Sequence, residues 1–524
     1  MNIDDIHTDD IKSYYECLDA ISDSDLFEGL LGHGLFADKI PNFLSSKKFY
    51  DFCKNNNPSF TQKSFSYIKY ENMRNINVPR LLAIPSPFAY YKQCKILKDS
   101  WKNTKEYFKN ETINNIYKIS RIHIRKRFNT KSIFEMNYKK YKKDGNPEQE
   151  IIIGKKYLVK ADISNCFPSI YTHSISWALV GKQIAKQNQH NKSEWYNKID
   201  EGTRWLNNNE THGLLIGPHT SNLISEIILV AIDNKISKKY EYIRNIDDYS
   251  CYVETKENAE QFLIDLSQEL KQFGLYLNHK KSEILELPIP VNSEWTRKLK
   301  LFKLETYDDK SGSSKRINYK TVALLMDTAI ELMKQNKDNA AILNYTIKIL
   351  LKYKMSTNAK QYFVNIVHHL VLIYQYLILL LENIFDCNLS DNAKIKQITD
   401  DIFEAGFRNK NYEAMSYAIY FSLKYNFKLN HKNIVKEAEK KNDCIFMLLS
   451  YLYDKKYNNK KEKIKKYKDL AKNFIVLNNN PKTLNDEFWL FAYEVLRIEA
   501  PTELDQCSDW KQLKDNQITF ILDL

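Results

Sequence analysis

Hydrophobic and polar positions change their rhythm once along this chain, near residue 290. Before that point apolar residues come in short runs, rich in β-branched and aromatic side chains and broken by Gly and Pro: "YLVKADI", "HGLLIGPHTSN", "YIRNIDDYSCYV", "LELPIPV". Such runs, bounded by turn residues, predict strands mixed with helices. Beyond Pro290 no proline occurs until Pro481, and apolar residues recur three and four apart in "TVALLMDTAIELM", "NIVHHLVLIYQYLILLLENIF" and "AMSYAIYFSLKY". That spacing predicts amphipathic helices. The expectation is an α+β part followed by an all-α part, a stack of antiparallel helices of a degenerate, HEAT-like repeat kind. "LPIPVNSEW" and "TYDDKSGSSKRIN" read as a linker between them. The most apolar stretch, Leu370–Leu381, is too short to span a bilayer and contains Gln375, so a buried core helix and no membrane are expected. His368 and His369 just before it read as core or interface.

A chain of 524 residues is expected to hold two or more domains, since single cores rarely exceed about 250–300 residues. The eight cysteines form no C-x-x-C pair, which argues against a zinc ribbon or disulfide framework and for reduced thiols in the cytoplasm. The acidic, polar start "MNIDDIHTDD" does not read as a signal peptide. The net charge of +13 is uneven: from Lys92 to Lys143 sixteen Lys or Arg face four Asp or Glu. The densest part, "RIHIRKRF", offers Arg121, Arg125, Lys126 and Arg127 as phosphate-binding side chains, because a clustered basic stripe releases counterions from a polyanion. A solvated lysine-rich helix is the plainer alternative, and it is preferred for Lys455–Lys472.

The candidate chemistry is acidic. Asp247 and Asp248 lie between two β-prone runs, where Asp is a common turn residue. A second possibility is that a cation holds the like charges together. Asp162 ends the run "KYLVKAD". One Asp at a strand end and an Asp pair at a later hairpin are the minimal oxygen ligands for two Mg²⁺ ions, which clamp the attacking and leaving oxygens of a phosphoryl transfer. Gly213 and Gly217 precede a long apolar helix expected to begin near Ser221, where backbone can approach closely and anions are favoured. Downstream, Gly274 stops an amphipathic helix, and a turn carries Lys280 and Lys281. A lysine there can neutralise or protonate a departing pyrophosphate.

The order of these segments resembles the palm and fingers of reverse transcriptases over roughly residues 70–290. "ADISNCF" is similar to the first palm motif, and "GLLIGPHTS" to the glycine-rich second. "RNIDDY" is similar to the aspartate-pair motif, "GLYLNHKKS" to the segment after it, and "MRNINVPRLLAIPSPF" to the fingers motif. The resemblance implies catalytic roles for Asp162, Asp247, Asp248 and Lys281, with Mg²⁺ (or Mn²⁺) on the three aspartates. It implies nucleotide binding by Arg74, Arg80, Ile163, Phe167 and Gly217, with Phe167 as steric gate against a ribose 2′-hydroxyl. Asn245 stands where the family usually has an aromatic, and Leu215-Ile216 where a Pro-Gln pair is common, which puts ordinary templated copying in doubt. The implied divisions are an N-terminal segment and fingers (1–150), a palm (151–290), a linker (291–318) and an all-helical domain (319–524).

"IYTHSISWALVGK", "ETHGLLIG" and the helical half narrow the resemblance to bacterial abortive-infection (Abi) polymerases of the AbiK and phage P-two-prophage type. That group implies phage defence, dNTP substrates, homo-oligomers and untemplated synthesis of single-stranded DNA attached to the protein itself. Tyr14 and Tyr15, in the polar "IKSYYECLD", are the candidates for priming. Two other readings stand beside this one: an RNA-templated reverse transcriptase of a defence system, and a non-catalytic nucleic-acid-binding scaffold.

Overall fold

The run Tyr157–Asp162 and the two runs flanking the aspartate pair form one antiparallel sheet in a computed structural model. It describes residues 13–61, 65–121, 124, 145–290, 292–308, 315–476 and 482–522. Ahead of the sheet, β1 (Tyr67–Met73) and β2 (Pro79–Pro85) make a hairpin that turns through 74–78. The sheet itself comprises β3 (Tyr157–Asp162), β4 (Tyr242–Asn245), β5 (Asp248–Val253) and β6 (Glu283–Glu286), in the order β4-β5-β3-β6. Helix Lys256–Gln272 packs on β3 and β5. Helix His219–Ile236 is buried almost all round, as the apolar run Ile227–Ile232 at its centre leads one to expect.

Five helices of the helical half begin at side chains that satisfy first-turn N–H groups. Asn318, Ser356, Asp391, Asn411 and Asp443 each accept such a bond from the residue three on, which fixes where the amphipathic runs start. Successive helices pack on one another, as with Asn392–Asn409 on Tyr412–Lys424 and Tyr412–Lys424 on Cys444–Tyr457.

Three sequence expectations change. The segment read as a linker carries a helix, Glu294–Leu301, and a hairpin of Thr306–Asp308 with Lys315–Ile317. The all-helical part is not wholly helical: Lys354–Met355 extends that hairpin in parallel, and Ile475–Val476 pairs with Thr483–Leu484. The apolar run is not one helix either. Helix Thr357–Ile373 ends at Tyr374, a 3₁₀ turn follows over Gln375–Leu380, and helix Leu381–Asp386 resumes. The break coincides with Gln375, whose amide donates to Asn411 and Glu413. Among the described residues no helix is long and apolar enough to cross a membrane.

The last described strand-like residues return to the first. Ser45 N–H donates to Phe520 O (2.8 Å) and Leu522 N–H to Phe43 O (2.8 Å). Phe520 then packs against Phe36, Phe49 and Trp489. The helical half thereby completes an aromatic core begun near residue 36.

Candidate active site

The aspartate pair sits on the tight turn that joins β4 to β5. Asn245 pairs with Asp248 and closes the turn around Ile246 and Asp247. Ile246 has φ +58°, a left-handed conformation that a β-branched residue adopts only under strain. Two bonds hold it: Ile163 N–H donates to Asp247 O (3.1 Å), and the Arg244 guanidinium donates to Ile246 O (2.9 Å). Arg244 is fully buried under the turn, with Glu226 Oε2 at 3.1 Å and Asp233 Oδ2 at 2.5 Å, both on helix His219–Ile236. Tyr242 OH also donates to Asp233 (2.8 Å).

On the cleft side, Asp162 lies directly across the sheet from Asp248. Lys281 Nζ approaches Asp162 Oδ2 at 2.9 Å, and Asn278 N–H donates to Asp162 O (2.7 Å). Asp162 acts on both members of the pair. Burial, the Asp247 charge and a bond to Asp162 push Asp248 up to about 6. Burial, and then the Asp162 charge, also raises Asp247. Crowded oxygen donors that resist ionising together are the chemistry a hard divalent cation relieves. Among the described residues no three His, Cys, Asp or Glu side chains stand ready-arranged as a metal cage, and the Lys281 ammonium lies against Asp162.

The β1–β2 hairpin faces this site. Arg80 on β2 is close enough for the Asp247 charge to act on it, while burial and the neighbouring Arg74 guanidinium hold its pKa down. Lys39 belongs to the same group: burial, then Arg80 and Arg74, lower it. Gly217 lets the hairpin seat. Its φ is +132°, a Cβ there would lie 3.0 Å from Ala83 O, and Ala83 N–H donates to Ile216 O (2.8 Å). From the other side Glu413 of the helical half accepts from Met73 N–H (2.8 Å), Gln375 (2.7 Å) and Asn72 (2.5 Å). Asn75 bonds Asn339 (2.6 Å), and Asn77 donates to Ile373 O (3.1 Å). Burial pushes Glu413 up to about 7.

Asp162, Asp247, Asp248, Lys281, Arg74, Arg80 and Gly217 thus gather around one cleft. Phe167 lies in the short helix Cys166–Ser169 beyond Asp162, partly buried against the core. Ile163 departs from expectation: it is 1% exposed and its N–H is committed to Asp247, so it shapes the turn rather than lining a nucleotide pocket. Arg121 departs too. It is 4% exposed, pairs with Glu148 (3.3 Å), and its N–H bonds Arg244 O. The segment Ile119–Arg121 runs along β4 as an added edge, which turns this guanidinium inward. Arg125, Lys126 and Arg127 lie outside the described residues.

Tyr14 was expected on a free polar segment. It instead packs on Phe108 and donates to Glu226 Oε1 (2.8 Å). Burial, with the Glu226 charge, drives its phenol well above the ordinary range, so it supports the Arg244 cluster from beneath. Tyr15, on the same short helix, is partly exposed under the Lys109 ammonium. Lys39, Arg244 and Glu413 were missed from sequence. Arg244 left one signal: it alternates with inward-facing Tyr242 and so falls on the buried side of β4.

The family model of "Reverse transcriptase (RNA-dependent DNA polymerase)" matches residues 98–357. Over that span the chain is similar to a reverse-transcriptase domain. The reverse-transcriptase match begins after the β1–β2 hairpin and runs into the helical half. Among solved structures, similarity extends to Candida tropicalis telomerase truncated from its C-terminal domain, at 14% identity, 45% of this chain, 52% of that one and a TM-score of 0.25. It extends also to the Candida tropicalis enzyme with a TWJ fragment of telomeric RNA (10%, 70%, 66%, 0.30) and the Candida albicans counterpart (11%, 68%, 64%, 0.26). The chain therefore spans about half of the first and just under two thirds of the other two. No curated protein matches it.

Proposed function

We propose that this chain is a metal-dependent DNA polymerase of anti-phage abortive infection, which extends a strand primed on protein without copying a template. The observation that carries the polymerase reading is the meeting of Asp162, Asp247 and Asp248 with Lys281 on one flank and Arg80 on the other. Mg²⁺ or Mn²⁺ held by the three carboxylates would supply the charge that draws a nucleophilic hydroxyl and the α-phosphate together. Arg80, Arg74 and Lys39 bind the triphosphate of a dNTP. Lys281 gives positive charge, or its Nζ proton, to the pyrophosphate as its bond to the α-phosphorus breaks. Phe167 excludes the 2′-hydroxyl.

Untemplated synthesis is supported by the second motif. Leu215 is buried and the Ile216 carbonyl is committed to β2, so these positions serve packing where the family commonly has a Pro-Gln pair. Tyr14, bonded to Glu226, is unsuited to priming, and the hydroxyl comes from Tyr15 or elsewhere. The role in phage defence and assembly into homo-oligomers rest on the Abi resemblance alone.

The test is to incubate purified protein with Mg²⁺ or Mn²⁺ and labelled dNTPs or rNTPs, with and without added primer and template. Label from dNTPs that stays with the denatured polypeptide in the absence of nucleic acid is the expected result. Label only in protein-free strands, and only when primer and template are supplied, moves the assignment to a templated reverse transcriptase. No incorporation under any condition leaves the scaffold reading.

A further inference from the structure

Away from the aspartates, a cavity of about 330 Å³ opens beside the ribbon that leaves the first motif. Tyr171 and Trp177 supply its aromatic wall, their rings 5.6 Å apart. The Tyr171 ring also meets His173 and His212, each at 4.9 Å. The Lys182 ammonium lies 4.3 Å over Trp177. Beneath the wall, Asp200 is 5% exposed; His173 Nδ1 sits 2.5 Å from Oδ2, and Arg204 Nε donates to Oδ1 (3.3 Å). That buried carboxylate fixes an imidazole and a guanidinium at the cavity edge before any ligand arrives. With Asp200 matched in this way, exposed Lys186 and Lys192 outweigh Glu201 in the lining.

Flat rings beside fixed and mobile cations suit one ligand chemistry, an aromatic base carrying a phosphate. The volume falls at the small end of ligand sites. The cavity is also joined to the catalytic cleft by backbone. Gly213 N–H donates to Ile170 O (2.9 Å), Leu214 N–H to Phe167 O (2.8 Å), and Tyr171 bridges His212. Phe167 and Tyr171 thus mark two points on one ribbon, no more than about 14 Å apart along the chain.

We propose that this cavity binds a nucleotide, its base against Tyr171 and Trp177 and its phosphate on Lys186, Lys192 and Arg204, as a station for single-stranded nucleic acid outside the catalytic cleft. The inference extends the polymerase reading but its test needs no polymerisation. A fluorescein-labelled oligothymidylate is titrated into the full chain without dNTPs or divalent metal. Photo-crosslinking of an iodouracil version should map to the peptide holding Tyr171 and Trp177. Tyr171→Leu should weaken binding about tenfold. The surface double variant Lys186→Gln/Lys192→Gln, which leaves the interior untouched, should lower the slope of log affinity against log salt by about 1.4. Asp247→Asn should bind as the wild type does, which separates this site from catalysis. Competition by thymidine monophosphate alone at equal nucleotide concentration assigns the cavity to free nucleotides, and competition only by unlabelled strand assigns it to the chain; both uphold the chemistry. Crosslinks elsewhere, with salt slope and affinity unchanged in both variants, overturn it.

Discussion

Two hairpins carry the charges of the cleft, and they are held in opposite ways. The β4–β5 hairpin is braced from within: Arg244 grips the strained turn and is anchored on Glu226 and Asp233 of the adjoining helix. The β1–β2 hairpin is braced from without. Its strand and its tip are bonded to Glu413, Asn339 and Ile373, all in the helical half. The acid side of the site is therefore a property of the palm sheet, whereas the basic side is set by a region hundreds of residues away. Perturbing the helical half should move Arg80 and Arg74 while leaving the aspartates in register.

The largest effect should come from the tip of the inner hairpin. Asp247→Asn is expected to lower nucleotide incorporation by about a thousandfold or more, since a lost metal-binding charge costs several kcal/mol of transition-state stabilisation. Circular dichroism and thermal melting should be near wild type; full turnover in this variant would break the comparison at its root. Next comes the brace. Arg244→Met strands two buried carboxylates and should destabilise the protein by about 3–5 kcal/mol. Adding Glu226→Gln and Asp233→Asn should recover much of the loss in melting temperature, a recovery that simple overpacking would not show. Smallest is the outer clamp. At the acid end of its range, at about pH 5, Glu413→Gln should weaken hairpin docking by about 1.5–3 kcal/mol, seen as a raised KM for dNTPs with kcat little changed.

The outer clamp also has a pH signature. Native Glu413 titrates at about 7 against an ordinary 4.5, so the folded chain binds this proton more tightly than the unfolded one. Its contribution to stability is full below about pH 4.5 and falls as pH rises toward 7, by up to about 3 kcal/mol. Melting curves of wild type and Glu413→Gln across that window should converge as the pH rises. A constant difference between them would show that Glu413 is ionised throughout.

The inner hairpin was legible in sequence and the outer one only in part, for a physical reason. Strand runs, a turn and an acid at a strand end are local patterns, so Asp162, Asp247 and Asp248 could be placed from spacing, while Lys281 was told from Lys280 only by the resemblance. Gly217 could be placed as well, because close approach demands glycine wherever it occurs. Arg80 was legible by motif, but what holds it was not: Glu413 and Asn72 are 341 residues apart, and no periodicity links them. Net charge misled at Arg121, where edge pairing with β4 turned a basic residue inward. Local polarity misled at Tyr14, whose burial depends on Glu226. The broken apolar run followed from a single Gln375 that serves Glu413 rather than its own helix.

The pairing of residues 43–45 with 520–522 has a consequence for biosynthesis. On the ribosome, the aromatic cluster around Phe49 must wait for Phe520 while the residues between them are made, on the order of a minute at ordinary elongation rates. Until then Phe49 and Phe36 lack a neighbour that excludes water, and the nascent first third exposes a hydrophobic seam to chaperones. Assembly of this core is thus gated by synthesis of residues 520–522, so a chain cut before them would be left without the keystone of its N-terminal core.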